Sequence, residues 1–567
     1  MHRFSGDISI VLGGAAGQGI QTVEALLVEV LRREGYFVFA SKEYMSRIRG
    51  GSNSTEIRIT SKPRRAFVKK IDLLFVLDKG AMKHLAPRLS RQTLVIGEKD
   101  KVCETQCQVI DVPFTRFVRE LGHPIYTSTL AVGVVLGMLK ADEKPFHEYL
   151  RSRFARKGEE VVEKNIEAAK MGYLHGTHIG FVEGIEIALP RRSIQKDSFL
   201  LSGDTALGLG VLAAGCNFIS SYPMSPGTTL LSFLAGHAKS SRIVVDQAED
   251  EIAAINMAIG AWYAGARAIV TTSGGGFSLM AEGVSLSGMI ETPVVIHIGQ
   301  RPGPATGLPT RTEQADLNLA LYAGAGEFPR VILAPGTLAE VYRAAQQAFL
   351  IADKYQVPVF ILTDQFLLDA ISTVEKRDVK QLPVKNYITE TNPEYQRYQM
   401  QKNGISPRGV PGFGTGLVGV DSDEHDEAAH ITESATVRLA QHEKRLSKLE
   451  GLRSAVLPPV VIGNIKKAEC LVVTWGSNFG VVEEVLDRMQ DDYFVHIHFP
   501  QVYPLPESGK KLFPKNKEVV VIENNATGQF ADLLEREYKI TVTRRILQYD
   551  GNPFSVEDVM KSLQKIV

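Results

Sequence analysis

The feature that most constrains this chain is a repeated alternation of short apolar strands, turns of small residues and helices. It begins with the apolar segment 8–12, passes through a glycine-rich turn and a helix that ends near Arg33, and reaches a second strand at 36–40. The same alternation returns at 268–298 and at 470–522. Because neighbouring parallel strands need a crossover connection, usually a helix, the pattern predicts an α/β fold with parallel sheets.

The length of 567 residues allows three or four domains at roughly 150 residues each. We predict three α/β domains, each with a parallel sheet, at residues 1–185, 198–375 and 461–567. The proline and charged residues of 186–197 interrupt the apolar periodicity and predict a linker. Residues 376–460 are rich in polar residues, proline and glycine, and we interpret them as a connector.

Composition excludes several classes of protein. The 64 Lys and Arg residues balance the 64 Asp and Glu residues, so nothing favours nucleic acid or an anionic membrane as a partner. The chain begins without an apolar signal segment, and its longest uncharged apolar stretch, near 130–139, is too short to span a bilayer. Four scattered cysteines do not suit the disulfide framework of a secreted domain. We therefore expect a cytoplasmic protein.

Two segments contain residue types that can bind metals. Cys103 and Cys107 are spaced C-x3-C, but iron–sulfur clusters usually require four thiolates, so we interpret them as ordinary thiols, with a metal or redox role as the alternative. The acidic patch at 421–427, with His425 and the nearby His430, is interpreted as a solvated connector, with a divalent-metal site as the alternative. We predict no metal site in this chain.

The first strand leads into a turn that contains Gly14, Gly17 and Gly19. Small residues between a strand and a helix let backbone N–H groups approach a phosphate, but the spacing departs from the dinucleotide fingerprint G-x-G-x-x-G. A nicotinamide dinucleotide, another phosphate ligand and a purely structural turn all stay open. Further on, Arg47 and Arg49 lie beside two glycines, a combination that suits phosphate, a partner's carboxylate or a solvated loop.

Three segments of the second predicted domain combine rigidity, acidity and small residues. Two prolines flank Ser225 after Tyr222 and fix the loop that presents the Ser225 hydroxyl group. The acidic residues 249–251 open a helix rich in small residues, where stabilisation of the helix dipole is the simpler explanation. Residues 273–277 end a strand with three glycines, which permits close approach of a ligand.

In this order, the motifs resemble the pyrimidine-binding domain of thiamine diphosphate enzymes. Together they resemble the alpha subunit of 2-oxoacid:ferredoxin oxidoreductases, most closely the 2-oxoglutarate type. The segments that carry this resemblance are Tyr222–Pro226, Glu249–Ala253, Thr272–Met280, Gln300–Thr310 and Glu523–Gln529. The first glycine-rich turn and residues 46–51 resemble the family's gamma subunit, fused here ahead of alpha. The resemblance implies a gamma-like domain, a pyrimidine-binding domain and a transketolase C-terminal-like domain.

The resemblance also implies roles for single residues. Glu251, nine residues before Gly260, matches the carboxylate on the aminopyrimidine ring, with its two acidic predecessors as rivals. Arg311 matches the arginine on the substrate's 1-carboxylate, with a surface ion pair to Glu313 as the alternative. Tyr222, Ser225 and Arg301 complete the implied substrate site. The implied cofactor-binding residues are Glu251, Ser273, Gly274, Gly275, Gly276 and Phe277.

This chain departs from the family pattern at two of these positions. Ser225 stands where the family often has threonine, which keeps the hydroxyl group and loses a methyl group. Gly275 stands where the family commonly has proline. Both departures leave the exact 2-oxoacid preference open.

The sequence lacks the Gly-Asp-Gly and Asn motif that holds a metal and diphosphate in thiamine enzymes. The resemblance therefore implies a beta subunit that supplies the Mg²⁺ and diphosphate site and a [4Fe-4S] cluster, with thiamine diphosphate at the subunit interface. It further implies ferredoxin as acceptor, coenzyme A as co-substrate and an (alpha-beta)2 heterotetramer. The candidates for coenzyme A are Gly14, Gly17, Gly19, Arg47 and Arg49.

The leading hypothesis is the conversion of 2-oxoglutarate, coenzyme A and oxidised ferredoxin to succinyl-coenzyme A, CO2 and reduced ferredoxin. The reverse, carboxylating direction is the one used in the reductive TCA cycle. The alternatives are pyruvate or branched-chain 2-oxoacids as substrates, a non-oxidative thiamine-dependent decarboxylase or ligase subunit, and a non-catalytic scaffold.

Overall fold

The computed structural model describes residues 2–15, 20–45, 52–188 and 197–566. The chain forms two compact units. Unit 1 comprises Met1–Leu201, Asp369–Asp378 and Ser555–Glu557, and unit 2 comprises Ser202–Leu368, Val379–Phe554 and Asp558–Val567. Helices alternate with mostly parallel strands in both units, so the predicted α/β class is confirmed.

The strands are β1 (His2–Ser5), β2 (Asp7–Ala15), β3 (Phe37–Glu43), β4 (Ser52–Thr60), β5 (Leu73–Val76), β6 (Leu94–Gly97), β7 (Gln108–Asp111), β8 (Ile185–Ala188), β9 (Ser198–Ser202), β10 (Phe218–Ser221), β11 (Val244–Gln247), β12 (Ala268–Thr272), β13 (Val294–Gln300), β14 (Val331–Leu333), β15 (Pro358–Asp364), β16 (Ile371–Glu375), β17 (Val460–Ile462), β18 (Cys470–Trp475), β19 (Phe494–Phe499), β20 (Gln501–Tyr503), β21 (Glu518–Glu523) and β22 (Arg544–Leu547). The helices are α1 (Ile20–Arg33), α2 (Lys79–Leu85), α3 (Phe114–Leu121), α4 (Thr127–Met138), α5 (Glu143–Phe154), α6 (Glu159–Val182), α7 (Gly203–Ala213), α8 (Thr228–Ser241), α9 (Glu251–Tyr263), α10 (Gly274–Phe277), α11 (Ala281–Met289), α12 (Leu317–Tyr322), α13 (Leu338–Tyr355), α14 (Gln365–Asp369), α15 (Ala435–Ser454), α16 (Phe479–Met489), α17 (Gln529–Tyr538) and α18 (Val556–Gln564).

Unit 1 is built on an eight-stranded sheet in the order β7-β6-β5-β2-β4-β3-β16-β9. Strands β2, β5, β6 and β7 are parallel, as the alternation of strands and helices predicts. Strand β4 pairs antiparallel with both β2 and β3, so it separates the two strands that α1 connects. The sheet is therefore mixed, and the sequence pattern does not indicate β4.

Helices α4 and α6 of unit 1 pack through glycines. A Cβ atom on Gly133 or Gly137 would overlap the backbone of α6, and one on Gly172 or Gly176 would overlap the backbone of α4. Helix α4 is buried along almost its whole length. The glycines therefore allow the two backbones to approach each other directly, at the expense of side-chain packing.

Unit 2 contains two sheets. The seven-stranded sheet has the order β11-β10-β12-β13-β15-β14-β20 and is parallel except for β20, which pairs antiparallel with β14. The five-stranded sheet has the order β17-β19-β18-β21-β22 and is parallel except for β17. Because β20 follows β19 directly in sequence, the C-terminal part of the chain contributes to both sheets.

The predicted connector is anchored to unit 2 by buried charges. Glu291, two residues past the end of α11, is 1% exposed, and its carboxylate lies 2.8 Å from Lys444 Nζ and 2.5 Å from Lys448 Nζ. These two cations hold the pKa of Glu291 well below its ordinary value despite its burial. His425 is fully buried and stacks on Tyr398 at 3.8 Å between ring centroids. The prediction that the acidic patch is solvated is therefore wrong for His425.

The described residues contain no group of three or more His, Cys, Asp or Glu side chains arranged to hold a metal ion. None of the helices they form is both long and apolar enough to cross a membrane.

Candidate functional site

The three acids at the start of α9 differ sharply in environment. The Asp250 carboxylate caps the helix by accepting a hydrogen bond from the Ala253 N–H at 2.7 Å, and Glu249 is exposed. Glu251, the first residue of the helix, is only 3% exposed. Burial, supported by the nearby charge of Asp250, raises the pKa of Glu251. Glu251 is thus the acid of the three that points away from solvent.

The turn after β12 is shaped to receive carboxylates. A Cβ atom on Gly276 would overlap Glu251 Oε1 and Thr272 Oγ1, and one on Gly274 would overlap the carboxylate of Asp316. A Cβ atom on Gly275 would lie 3.2 Å from the Ala305 carbonyl oxygen. The sequence predicts that these glycines let a ligand approach, whereas in the structure they admit two acidic side chains of the chain itself.

The other residues of this turn are buried. Phe277 lies in the core, 5.4 Å from the ring of Phe360, and thereby anchors the turn. The hydroxyl groups of Thr272 and Ser273 are buried and have no hydrogen-bond partner among the described residues. The same holds for Glu251 Oε1. Three buried polar groups at or beside this turn, without partners among the described residues, suit a ligand with polar atoms.

Asp316 is a site residue that the sequence analysis missed. It precedes α12, and its backbone N–H donates to Gln300 Oε1 at 3.1 Å. Burial and the charge of Glu313 raise the pKa of Asp316 to about 7, and Arg301 opposes this shift. Asp316 lies six residues beyond the Gln300–Thr310 segment, but no periodicity or spacing links it to Gly274, 42 residues earlier.

Arg301 joins two loops of the candidate site. Its guanidinium Nη1 donates to the Ser225 carbonyl oxygen at 2.7 Å. Burial lowers the pKa of Arg301, and the charge of Asp316 raises it. Tyr222 and Ser225 are both exposed at the end of β10, where their side chains are accessible. The Arg301 side chain therefore contacts the backbone of Ser225, so the structure brings these two predicted substrate residues together.

The loop that carries Arg311 is fixed to the five-stranded sheet. The side-chain stem of Arg311 lies against Gly551, and the Thr312 N–H donates to the Gly551 carbonyl oxygen at 3.1 Å. Gln314 is fully buried; it donates to the Trp475 carbonyl oxygen at 3.1 Å and accepts from Asn478 Nδ2 at 2.8 Å. This buried amide holds the loop to the turn after β18.

The segment Glu523–Gln529 also holds the loop that carries Arg311. The buried carboxylate of Glu523 accepts hydrogen bonds from the N–H groups of Phe530 and Ala531 at 3.0 and 3.1 Å. Asn525 Nδ2 donates to the Gln314 carbonyl oxygen at 3.1 Å. These contacts give the segment a structural role, which is to hold the start of α17 and the Arg311 loop.

The candidates in unit 1 are only partly described. Gly14 lies near the end of β2, buried and paired with Asn53 of β4. Gly17, Gly19, Arg47 and Arg49 lie outside the described residues.

Two family models match separate parts of this chain. The family model "Pyruvate flavodoxin/ferredoxin oxidoreductase, thiamine diP-bdg" matches residues 209–444, and "Pyruvate ferredoxin/flavodoxin oxidoreductase" matches residues 9–174. The chain is 31% identical to the 2-oxoacid:ferredoxin oxidoreductase subunit alpha of Sulfolobus sp, over 99% of this chain and 97% of that one. It is also 31% identical to the 2-oxoglutarate oxidoreductase subunit KorA of Mycobacterium tuberculosis, over 76% of this chain and 66% of that one.

A solved structure also matches along nearly the whole chain. It is titled "2-oxoglutarate:ferredoxin oxidoreductase from Magnetococcus marinus with 2-oxoglutarate, coenzyme A and succinyl-CoA bound". The TM-score is 0.92 at 27% sequence identity, and the match covers 99% of this chain and 100% of that one.

Proposed function

Since the chain belongs to the family of 2-oxoacid:ferredoxin oxidoreductase alpha subunits, we propose that its enzyme acts on 2-oxoglutarate. In the proposed reaction, 2-oxoglutarate and coenzyme A give succinyl-coenzyme A and CO2, and two electrons pass to ferredoxin. The relatives named for 2-oxoglutarate, together with the ligands of the Magnetococcus marinus structure, support this substrate. Pyruvate and branched-chain 2-oxoacids are the competing substrates.

The observation that carries the proposal is the orphaned Oε1 of Glu251 beside Gly276. A buried carboxyl oxygen without a hydrogen-bond partner among the described residues, in a domain that matches a thiamine diphosphate-binding model, fits the aminopyrimidine ring of that cofactor. When bound, thiamine diphosphate supplies the carbon nucleophile that attacks the 2-oxo group and accepts the charge left by CO2. Glu251 would hold a proton for the ring nitrogen, and its raised pKa suits a group that must carry that proton.

Two arginines of the loop that spans residues 301–316 suit the two carboxylates of 2-oxoglutarate. We assign Arg311 to the 1-carboxylate, because a planar guanidinium can bind a carboxylate through two hydrogen bonds. We assign Arg301 to the distal carboxylate, since it is already held against the Ser225 loop. Ser225 and Tyr222, both exposed, would complete the substrate site.

The remaining parts of the reaction need a partner. We propose that a beta subunit supplies the Mg²⁺ and diphosphate site and the [4Fe-4S] cluster, in a cytoplasmic (alpha-beta)2 heterotetramer. Coenzyme A would contact the gamma-like domain through the first glycine-rich turn, Arg47 and Arg49. We also propose the three domains predicted from the sequence, at residues 1–185, 198–375 and 461–567.

The test is reduction of ferredoxin or a viologen by the chain co-purified with its beta subunit. We expect reduction that depends on coenzyme A and is faster with 2-oxoglutarate than with pyruvate. Glu251→Gln should lower kcat at least about 100-fold, the lower end of what general acid–base catalysis contributes. The matched control is Glu249→Gln, which changes an exposed acid two residues away and should leave kcat unchanged.

Three outcomes would count against the proposal. No reduction with any 2-oxoacid would remove the oxidoreductase assignment for this complex. Faster reduction with pyruvate would correct the substrate. A Glu251→Gln protein that turns over at a near-normal rate would remove the role of Glu251.

A further inference from the structure

The side-chain stem of Arg311 lies against a glycine from the C-terminal part of the chain. Gly551 follows β22, and a Cβ atom built on it would lie 3.1 Å from Arg311 Cβ and 3.4 Å from Arg311 Cγ. Its φ of +82° is a conformation that residues with a side chain rarely adopt. The Gly551 carbonyl oxygen also accepts a hydrogen bond from the Thr312 N–H at 3.1 Å. Gly551 therefore supports the Arg311 stem and holds the backbone of the next residue.

The turn that carries Gly551 is held by hydrogen bonds among its own residues. Asp550 Oδ1 accepts from the Asn552 N–H at 3.0 Å and from Gln548 Nε2 at 3.1 Å. The Asn552 carbonyl oxygen accepts from Gln548 Nε2 at 3.0 Å and from Asn524 Nδ2 at 3.3 Å. Because Asn524 directly follows β21, these contacts tie the turn to the five-stranded sheet. Gly551 thus has a fixed position relative to β21.

Thr312 is also held by its side chain, at the end of β15. Its side chain is buried, and its hydroxyl oxygen accepts a hydrogen bond from the Phe366 N–H at 3.3 Å. The same hydroxyl group donates to the buried carboxylate of Asp364, the last residue of β15. The residue next to Arg311 is therefore fixed in two ways, by Gly551 through its N–H and by the end of β15 through its hydroxyl group.

We propose that Gly551 and Thr312 are positioning residues, which fix the Arg311 side chain for the 1-carboxylate of the 2-oxoacid substrate. A long arginine side chain loses rotamer entropy when it binds a ligand, and a stem that already rests on a fixed support loses less. A small displacement of the stem is also magnified at the guanidinium group, which lies at its far end. This inference rests on the proposed function, because it requires that Arg311 binds the substrate.

The first variant adds one methyl group to the support. In Gly551→Ala this group would press on Arg311 Cβ, and we expect the KM for 2-oxoglutarate to rise about tenfold with little change in kcat. Gly412→Ala is the matched control in the same unit. Gly412 has nearly the same φ, +80°, and no atom of the described residues lies within 4 Å of its added methyl group. Both substitutions carry the backbone strain, but only Gly551→Ala should raise KM.

A second set of variants changes Thr312 without straining the backbone. Thr312→Val keeps the shape of the side chain and loses the hydroxyl group, so the KM for 2-oxoglutarate should rise about threefold to tenfold. Thr312→Ser keeps the hydroxyl group and should restore most of the affinity. All assays use the chain in complex with its beta subunit. The KM for coenzyme A should not change in any of these variants, because the effect is confined to the 2-oxoacid carboxylate.

A positioning role predicts that these effects vanish when Arg311 is absent. Arg311→Ala alone should raise the KM for 2-oxoglutarate at least about tenfold, because it removes hydrogen bonds between two charged groups. Adding Gly551→Ala or Thr312→Val to Arg311→Ala should cause no further rise, since each acts through the missing side chain. A general distortion of the fold would instead raise KM by the same factor in both backgrounds.

The possible results separate this inference from the proposed function. No reduction with any 2-oxoacid contradicts the proposed function, and a wild-type KM for Arg311→Ala contradicts the assignment of Arg311. If both of these hold, equal KM values for Gly551→Ala and Gly412→Ala overturn the role of Gly551. Equal KM values for Thr312→Val and the wild type overturn the role of Thr312. Additive effects in the Arg311→Ala background overturn both roles, and the Thr312 variants decide the matter if Gly551→Ala does not fold.

Discussion

The two units of this protein use glycine in opposite ways. In unit 1, the glycines of α4 and α6 lie against backbone atoms of the facing helix, as Gly176 does against the Val134 carbonyl. In unit 2, Gly274 and Gly276 lie against the carboxylates of Asp316 and Glu251. A backbone cannot move aside without disturbing a helix, but a side chain can rotate. The same substitution should therefore reduce stability in one unit and activity in the other.

The largest expected effect is that of Gly276→Ala on catalysis. The added methyl group would displace the Glu251 carboxyl group, and we expect kcat to fall about 100-fold or more, as for loss of an acid–base group. The unfolding midpoint should change little, because the displaced group is a side chain. Gly260→Ala, on the same helix as Glu251 and facing open space, is the control and should retain full activity. Equal kcat values for the two variants would show that the turn does not position Glu251.

The second effect is that of Gly176→Ala on stability. A methyl group at the contact between α6 and α4 forces the helices apart, and we expect a loss of about 1–3 kcal/mol in the free energy of unfolding. Gly180→Ala is the control on the same helix, since its Cβ atom would lie 3.6 Å from Met138, an ordinary contact distance. Far-ultraviolet circular dichroism is the measurement to use. Both tryptophans, Trp262 and Trp475, lie in unit 2, so their fluorescence does not monitor unit 1 directly. Equal stability of the two variants would contradict the backbone contact.

A smaller effect concerns the pH dependence of unfolding in unit 2. The pKa of Asp316 is raised to about 7, above its ordinary value of 3.8, so the folded state binds more protons than the unfolded state between these values. The contribution of Asp316 to the free energy of unfolding is therefore fully present below pH 3.8 and is lost as the pH rises through 7. Asp316→Asn should therefore gain stability relative to the wild type between pH 5 and pH 8, measured by tryptophan fluorescence in urea. A constant difference between the two proteins would show that Asp316 ionises normally.

The smallest expected effect concerns the thiols, which also differ between the units. Cys103 and Cys107 of unit 1 are half-buried and line a cavity of about 490 Å³. Cys216 and Cys470 of unit 2 are buried, and burial raises the pKa of each thiol to about 12. A thiol reagent should modify the first two in the folded protein and the other two only after denaturation. Mass spectrometry of the labelled peptides would reveal any early modification of Cys216 or Cys470.

Most of the fold class was predictable, because it depends on local periodicity. The alternation of strands and helices predicts the parallel parts of each sheet, and these are present. Strand β4 was not predictable, since its pairing between β2 and β3 depends on contacts across the sheet rather than on local pattern. The burial of His425 depends likewise on stacking with Tyr398, which lies 27 residues earlier in the chain.

The candidate site was predictable to the extent that motifs mark it. The acidic start of α9 and the three-glycine turn are visible in the sequence, and the structure brings them into contact. The selection of Glu251 over Glu249 and Asp250 from residues alone was not possible, because it depends on which acid caps the helix and which points inward. Asp316 was missed because the fold, rather than the spacing, brings its carboxylate to Gly274.

The late strands β16 and β20 have a consequence for synthesis on the ribosome. The sheet of unit 1 gains β16, residues 371–375, only after the chain has passed through β15 of unit 2. The seven-stranded sheet gains β20 only when residue 503 has been made. Until then, the edges of β3 and β14 are open to pairing with other nascent chains. Prematurely terminated chains of this protein should therefore aggregate, and chaperones that cover strand edges should matter most while residues 334–375 are being synthesised, since both edges are then open.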